Sequence, residues 1–294
     1  MAAAELGLEP PYEIWRPEGG RDGALVFASP HSGRHYPADM GASVRLGASA
    51  MRSSEDALVD QLIGAAPRHG ATVIVARYAR AFVDVNREPY ELDPAMFEDE
   101  LPEFARGRTA RVAAGLGSIA RLVSEGREIY DRKLTFAEAN GRIEAVHQPY
   151  HAALRRLLDQ TRSRHGGAIL IDWHSMPGAA AGQGSATPSG RRRVDIVLGD
   201  RFGSTCSPVL TDTVERALVS MGYVVARNAP YAGGYTTEVY GRPVDGVHAL
   251  QIEISRALYL DEARLAPGDG FARLARDLER VFQRLATVKP GCLR

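Results

Sequence analysis

The sequence predicts an α/β fold in which a mixed or parallel sheet carries helices on its faces. Short apolar runs rich in Val and Ile alternate with longer amphipathic stretches, the pattern expected of such a sheet. No linker separates two hydrophobic cores, because the strand candidates continue at similar spacing from Ala24 to Ile254. We therefore expect a single domain over residues 1–294.

The apolar runs and the amphipathic stretches define the predicted elements. Strands are expected at Ala24–Ala28, Thr72–Arg77, Ala81–Val85, Ala168–Ile171, Asp195–Leu198, Tyr223–Ala226 and Ala249–Ile254. Helices are expected near Glu55–Ala66, Ser118–Glu125, Thr135–Arg164, Pro208–Met221 and Phe271–Leu285.

The third of these helices has the clearest boundaries. Thr135 and Glu138 are spaced as a capping box, in which hydroxyl and carboxylate satisfy each other's backbone donors. Pro149 is expected to kink the helix, and Gly166 with Gly167 is expected to end it.

The composition excludes several classes of function. Lys plus Arg and Asp plus Glu both total 36, so no net charge favours nucleic acid or an anionic membrane as the main partner. The first residues lack the pattern of a secretory signal, and no apolar run approaches the ~18 residues of a membrane span, so we expect a soluble cytoplasmic protein. Cys206 and Cys292 form no CxxC pair, which argues against a disulfide framework or a thiolate zinc site.

Two predicted strands run directly into a histidine. His31 lies in the motif SPHSG, and His174 lies in IDWHS. In open α/β sheets the working residues collect beyond the carboxyl ends of strands. A catalytic zinc takes three protein ligands and keeps one position for water. His31 and His174 are therefore candidate ligands of zinc or another divalent metal, with Asp172 available to orient an imidazole.

The sequence alone leaves the third metal ligand open between Glu55 and Asp56. Both acids open a predicted helix shortly after the first strand, so either carboxylate can reach back to the same strand tip. Their alternative role is to complement the positive end of that helix.

A rival metal pair exists at His147 and His151. Their i, i+4 spacing places both imidazoles on one helix face, as in metalloprotease helices. However, Gln148 stands where those helices carry a glutamate, and Pro149 disrupts the turn. We therefore favour the strand-tip pair.

A polar pair, Asn86 and Arg87, follows another predicted strand. The planar fork of an arginine matches a carboxylate bidentately, which makes Arg87 a candidate clamp for a substrate carboxylate. Its alternative role is a structural ion pair with Asp84 or Glu88.

A single carboxylate, Glu253, interrupts the apolar strand that ends near Ile254. Burial raises the pKa of a carboxyl group, and a raised pKa beside a metal-bound water suits a general base. The alternative is an ion pair with Arg256 or a solvent-facing position on an edge strand.

A glycine-rich segment is a candidate substrate loop. Gly233 and Gly234 lie between Tyr231 and Tyr235, and Arg242 follows shortly after. Flexible glycines with nearby hydroxyls and a guanidinium suit a small polar acid, although they also suit an ordinary surface turn.

Taken in order, these motifs resemble the N-formylglutamate amidohydrolase (N-formylglutamate deformylase) family. The matching stretches run through most of the chain, at 29–33, 76–87, 115–139, 149–158, 171–175, 195–208 and 228–262. The resemblance implies a three-layer α/β sandwich with a mixed central sheet, of the phosphorylase/hydrolase type akin to zinc carboxypeptidases. It also implies zinc-dependent hydrolysis of an N-formyl amide, with a small acidic N-acyl amino acid as substrate.

The resemblance also assigns site residues. It favours Asp56 as the third zinc ligand, Asn86 and Arg87 as carboxylate binders, and Glu253 as base or proton shuttle. Tyr235 and Arg242 are weaker candidates for the side-chain end of the substrate. The stretch 88–108 departs from the pattern of the histidine-degradation enzymes, so a deacylase or carboxypeptidase acting on another N-acyl amino acid or short peptide remains an alternative, as does a non-catalytic acidic-metabolite binder.

Overall fold

The computed structural model describes residues 9–41, 46–105, 107, 109–123, 126–178 and 193–293. Its central feature is a seven-stranded sheet built from β1 (Tyr12–Trp15), β2 (Leu25–Ser29), β3 (Thr72–Ala76), β4 (Ala168–Met176), β5 (Ile196–Gly199), β6 (Val225–Arg227) and β7 (Val247–Ser255). The strand order is β1-β3-β2-β4-β7-β5-β6. A separate two-stranded sheet pairs β8 (Leu260–Asp261) with β9 (Ala266–Pro267).

The pairing directions show that the central sheet is mixed. Strand β4 pairs in parallel with both β2 and β7, and β5 pairs in parallel with β6. Strand β5 is antiparallel to β7. All residues of β2, β4, β5 and β7 are buried, which explains why these strands are mostly apolar. The predicted α/β fold with a mixed central sheet is confirmed.

Eight α-helices accompany these strands in the described part of the chain. They are α1 (Ala48–Arg52), α2 (Val59–Leu62), α3 (Ala110–Ala113), α4 (Phe136–Arg142), α5 (Gln148–His165), α6 (Pro208–Ser220), α7 (Tyr235–Tyr240) and α8 (Phe271–Ala286). None of the helices in these ranges combines the length and apolar character that a membrane crossing requires. The cytoplasmic location stays a prediction.

Internal contacts divide the chain into two compact units. The first comprises residues 1–13, 30–55 and 75–154, and the second comprises 14–29, 56–74 and 155–294. The expectation of a single domain over the whole chain stays a prediction.

In the second unit, three aromatic rings anchor α8 to the sheet. Phe27 on β2, Trp173 on β4 and Phe282 on α8 are completely buried, and their ring centroids lie 5.2–5.6 Å apart. Large rings in tilted and edge-on contact add to the stability that their buried area already provides. The sheet residues that precede the predicted site therefore rest on a well-packed core.

In the first unit, the predicted capping box is present. The Thr135 hydroxyl accepts from Glu138 N, while the Glu138 carboxylate accepts from Thr135 N. The irregularity expected at Pro149 takes the form of a π-helical turn, Ile143–His147, immediately before α5. Proline lacks an amide hydrogen, and a π turn is one way in which a helix accommodates that loss. Gly166, with φ 72°, follows the last residue of α5 as predicted.

Two predicted elements are wrong. Ala81–Val85 forms turns instead of a strand, in which Phe82 N and Val83 N donate to Ala79 O. Asp84 accepts a hydrogen bond from a nearby backbone amide, and such local bonding competes with a sheet ladder. The helix predicted at Ser118–Glu125 is absent over its described residues, 118–123, where Arg121 N and Leu122 N donate back to Gly115 O.

One predicted helix is shorter than expected, and one strand of the sheet was not predicted. The helix predicted at Glu55–Ala66 contracts to α2, because Leu58 has a left-handed backbone (φ 64°) that prevents helix before Val59. Strand β1 was not predicted, since its four half-buried or exposed residues are too few for a clear pattern.

Candidate metal centre

The register of β4 and β7 brings two predicted site residues side by side. His174 on β4 lies directly opposite Glu253 on β7, and Asp172 lies opposite Gln251. Side chains of directly paired residues project from the same face of a sheet, and these four are all buried. A histidine and a carboxylate far apart in sequence thus become neighbours through strand pairing.

Asp56 approaches the same histidine from the segment before α2. Its Oδ2 lies 3.0 Å from His174 Nδ1, and its Oδ1 accepts from Ser175 Oγ at 3.2 Å. The Arg256 guanidinium adds an ion pair to Asp56 Oδ1 at 3.4 Å and donates to Ser175 Oγ at 3.1 Å. These contacts fix the orientation of the Asp56 carboxylate.

His174 lies between two carboxylates. Asp172 Oδ2 is 3.0 Å from Nε2, on the side of the ring opposite Asp56. Burial by itself would lower the pKa of His174, but Asp172, Asp56 and Glu253 together raise that pKa well above its usual value. The predicted role of Asp172 in orienting the imidazole agrees with this geometry.

His31 also contacts a carboxylate, that of Asp84. It lies two residues beyond the end of β2, is buried, and places Nε2 2.6 Å from Asp84 Oδ1. Arg80 donates to Asp84 Oδ2 at 2.6 Å. Burial would raise the pKa of Asp84, but Arg80, His31 and Arg87 hold it well below its usual value.

Gly33, in the same SPHSG motif, allows a close backbone approach. A Cβ at this position would lie 2.1 Å from the Tyr78 carbonyl oxygen. The following residues Arg34 and His35 both donate their backbone amides to Arg77 O. Glycine is therefore required where the segment after His31 runs against residues 77–78.

His31, Asp56 and His174 form a group that can hold a metal ion. All three are buried, and one potential ligand atom from each lies within 4.8 Å of the others. Within the described ranges, no other group of three or more His, Cys, Asp or Glu residues has this arrangement. Two imidazoles and a carboxylate are a typical donor set for zinc.

Glu55, the alternative third ligand, is occupied elsewhere. Its Oε1 accepts from Tyr36 Oη at 2.8 Å and from Arg52 Nε at 3.0 Å, and Oε2 accepts from Arg52 at 3.1 Å. The His147 and His151 pair is not part of a three-residue group among the residues described. Asp56 is therefore the acid that the structure associates with the two strand-tip histidines.

Asn86 and Arg87 follow Asp84 in the first unit. Asn86 N donates to Asp84 Oδ1 at 2.8 Å, the same oxygen that contacts His31. The Arg87 side chain is 13% exposed and lies 3.9 Å from Asp84 Oδ2. Burial lowers the pKa of Arg87, although Asp84 counteracts part of this shift. One carboxylate thus links the predicted clamp to a predicted metal ligand.

The other predicted site residues lie in the second unit. Gly234 N donates to Gln251 Oε1 at 2.8 Å, and Gln251 Nε2 donates to Glu253 Oε1 at 3.0 Å, so the glycine loop is tied to Glu253. Tyr235 is half-buried at the start of α7. Arg242 is half-exposed and pairs with Asp245 at 3.4 Å.

Sequence reasoning missed the roles of two residues around this site. Arg256 was considered only as a partner of Glu253, whereas its guanidinium contacts Asp56 and Ser175. Gln251 was not considered at all, although its place two residues before Glu253 on a strand puts both on one face. That alternation was the signal that could have identified Gln251.

The sequence also matches a known family model. Residues 23–260 match the model of N-formylglutamate amidohydrolase. The chain belongs to this family. The resemblance predicted from the sequence is therefore confirmed. The family is named for amidohydrolases, which are hydrolytic enzymes.

Proteins that are similar to this chain carry names that match this family. A Pseudomonas putida N-formylglutamate deformylase is 30% identical over 209 residues, which cover 69% of this chain and 70% of that protein. The protein of the same name from Pseudomonas aeruginosa is 29% identical over 266 residues, covering 89% and 90%. A crystal structure of N-formylglutamate amidohydrolase from Ralstonia eutropha JMP134 is 40% identical, with a TM-score of 0.89 and coverage of 97% of this chain and 100% of that one.

Proposed function

We propose that the chain is a zinc-dependent amidohydrolase that converts N-formyl-L-glutamate to formate and L-glutamate. The observation that carries the proposal is the buried group His31, Asp56 and His174, with Glu253 paired opposite His174 in the sheet. Membership of the N-formylglutamate amidohydrolase family supports the reaction class. The names of the two Pseudomonas relatives support the substrate.

The donor set fits a zinc ion. Asp84 faces Nε2 of His31, and Asp172 faces Nε2 of His174, so we assign Nδ1 of each imidazole as the ligand atom. Carboxylates behind metal-binding histidines fix the ring orientation and increase the basicity of the ligand nitrogen. When bound, zinc would supply Lewis acidity, which lowers the pKa of water and polarises a carbonyl oxygen.

We assign Glu253 as the general base. Its carboxylate is buried and is held by Gln251 Nε2 at 3.0 Å, next to the strand position of His174. Glu253 would accept the proton of the attacking water and then pass it to the departing amine, so that the amide bond breaks to an acid and a free amino group.

We assign Asn86 and Arg87 to the substrate α-carboxylate. A guanidinium that is largely buried is desolvated, which strengthens its hydrogen bonds to an incoming carboxylate. Tyr235 and Arg242 are proposed for the side-chain end of the substrate. Of these two, Arg242 would have to exchange its ion pair with Asp245 for one with substrate.

The test is formate release from N-formylglutamate by the zinc-loaded protein, with and without a chelator. We expect activity that the chelator abolishes and that added zinc restores. A panel of other N-acyl amino acids, followed by amine release, determines whether the substrate is the formyl compound. Zinc-loaded protein that binds N-formylglutamate without hydrolysing it would contradict the proposal and favour a binding protein.

Glu253→Gln tests the base. The amide keeps the size of the side chain but cannot accept the proton, so kcat should fall by about 10²–10⁴ while zinc content stays near that of the wild type. Glu238→Gln, which replaces an exposed acid on α7 in the same way, is the matched control and should retain activity. Near-full activity of Glu253→Gln would disprove the assignment.

A further inference from the structure

We propose that His147 and His151 are positioning residues that hold the backbone on both sides of Asn86, and so aim Asn86 and Arg87 at the substrate carboxylate. The inference rests on the proposed function for its purpose, but the hydrogen bonds that carry it are independent of any substrate. It assigns a role to the paired histidines that do not belong to the metal group.

Both imidazoles contact backbone carbonyls of the segment that carries the clamp. His147 Nε2 lies 2.9 Å from Arg87 O, and His151 Nε2 lies 2.7 Å from Val85 O. A carbonyl oxygen can only accept, so each Nε2 must carry the proton and donate. Both histidines are buried, at 2% and 8% exposure, where such bonds are protected from competing water.

The local helix geometry places the two imidazoles together. His147 ends the π-helical turn, and His151 lies in the first turn of α5. Their ring centroids lie 4.4 Å apart, and the two ring planes are inclined by 32°. The i, i+4 spacing therefore presents two donors from one helix face. These donors match two carbonyls that lie two positions apart in the clamp segment, residues 81–87.

The clamp segment depends on such side-chain bonds because it lacks regular structure. Residues 81–87 contain no helix or strand, and the carbonyls of Val85 and Arg87 lie immediately before and immediately after the Asn86–Arg87 pair. A buried carbonyl left without a donor is energetically unfavourable, so loss of the histidine donors would favour rearrangement of this segment. Asp84 anchors Asn86 through its backbone amide, and the two histidines anchor the carbonyls before and after it.

Positioning of this kind matters for binding a carboxylate. A planar guanidinium gains its advantage only when both donors meet both oxygens, and small displacements lose that geometry. Loss of the histidine bonds should therefore impair recognition of the substrate α-carboxylate more than the chemistry at the amide. That difference separates a positioning role from a general contribution to folding.

The experiment compares variants that keep or remove the donor. His147→Gln and His151→Gln retain a terminal N–H group, whereas His147→Phe and His151→Phe retain a ring without a donor. His165→Phe, at the end of α5, is the control for aromatic substitution on the same helix. For each protein, kcat/KM is measured with N-formylglutamate and with N-formylisoglutamine, in which an amide replaces the α-carboxylate.

The expected result is a specific loss of discrimination. In the two Phe variants, the preference for the carboxylate substrate should fall by about tenfold or more, the equivalent of losing one good positioned contact, mainly through KM. The Gln variants and His165→Phe should keep the wild-type preference. An equal loss on both substrates in the Phe variants, or a loss as large in the Gln variants, would overturn the positioning role.

Amide hydrogen exchange tests, without substrate, whether the two histidines hold the backbone of the clamp segment in place. Peptides covering residues 84–88 should exchange faster in the Phe variants than in the wild type and the Gln variants, while peptides from β7 should not change. Unchanged exchange at 84–88 in the Phe variants would overturn the inference. Failure of the wild type to hydrolyse either substrate would instead overturn the proposed function, so the two failures are distinguishable.

Discussion

Replacing Asp84 by asparagine should destabilise the folded protein. Three donors converge on this buried carboxylate: His31 Nε2 at 2.6 Å, Arg80 at 2.6 Å and Asn86 N at 2.8 Å. An asparagine retains one acceptor oxygen, and its NH₂ group must then face a donor. At least one of the three donors is left without its bond.

The magnitude follows from the burial of this network. A hydrogen bond to a charged group contributes about 1.5–3 kcal/mol, and breaking a buried ion pair by removing one partner costs about 3–5 kcal/mol. The Arg80 side chain keeps 22% exposure, so water can compensate part of its loss. We therefore expect a decrease of about 3 kcal/mol in the free energy of unfolding at pH 7, the lower end of that range.

The decrease in the free energy of unfolding caused by Asp84→Asn should also depend on pH. The folded state holds the pKa of Asp84 well below the unfolded value of about 3.9. The stability that this carboxylate contributes is therefore complete above the unfolded pKa and is lost as the pH falls towards the folded pKa. Because asparagine does not titrate, the difference between the wild type and Asp84→Asn should narrow as the pH falls below about 4.

Urea unfolding of metal-free protein at pH 7 and at lower pH measures both effects. Asp22→Asn is the matched control, because Asp22 pairs with Arg164 at the surface, with side chains 42% and 60% exposed. An exposed pair contributes about 0–1 kcal/mol. If Asp84→Asn unfolded with the same free energy as Asp22→Asn, our account of the carboxylate network would be refuted.

Two further substitutions test the segment after His31 and the aromatic core. Gly33→Ala should cost about 1–3 kcal/mol, because its Cβ would meet Tyr78 O at 2.1 Å and force the backbone to shift; unfolding equal to the wild type would show that residues 77–78 can move freely. Phe282→Ala should cost about 3–5 kcal/mol by opening a cavity against Phe27 and Trp173, and calorimetry that shows a change below about 1 kcal/mol would contradict this packing.

The sequence predicted best the strands whose residues are mostly apolar. Strands β2, β4, β5 and β7 are buried throughout, so their runs of Val, Ile and Leu stand out from the flanking residues. The turns at 81–85 have the same apolar character, yet form no strand. Their composition reports burial, whereas their backbone follows local hydrogen bonds such as that between Asn86 N and Asp84.

The strand-tip histidines were also predictable, because the ends of parallel strands converge at one edge of a sheet wherever the chain leads next. His31 lies two residues beyond β2, and His174 lies within β4, two residues before its end. Glu253 was predicted near the end of a strand, and it is buried there. These are properties of one segment at a time, which the order of residues encodes directly.

Tertiary structure alone decided between adjacent or equivalent side chains. The sequence puts Glu55 and Asp56 next to each other, but Glu55 accepts a hydrogen bond from Arg52 while Asp56 contacts His174. The spacing of His147 and His151 determines that they share a helix face, whereas the carbonyls they meet come from a segment about 60 residues away. Periodicity specifies which side chains point together, but only packing between distant segments determines what they touch.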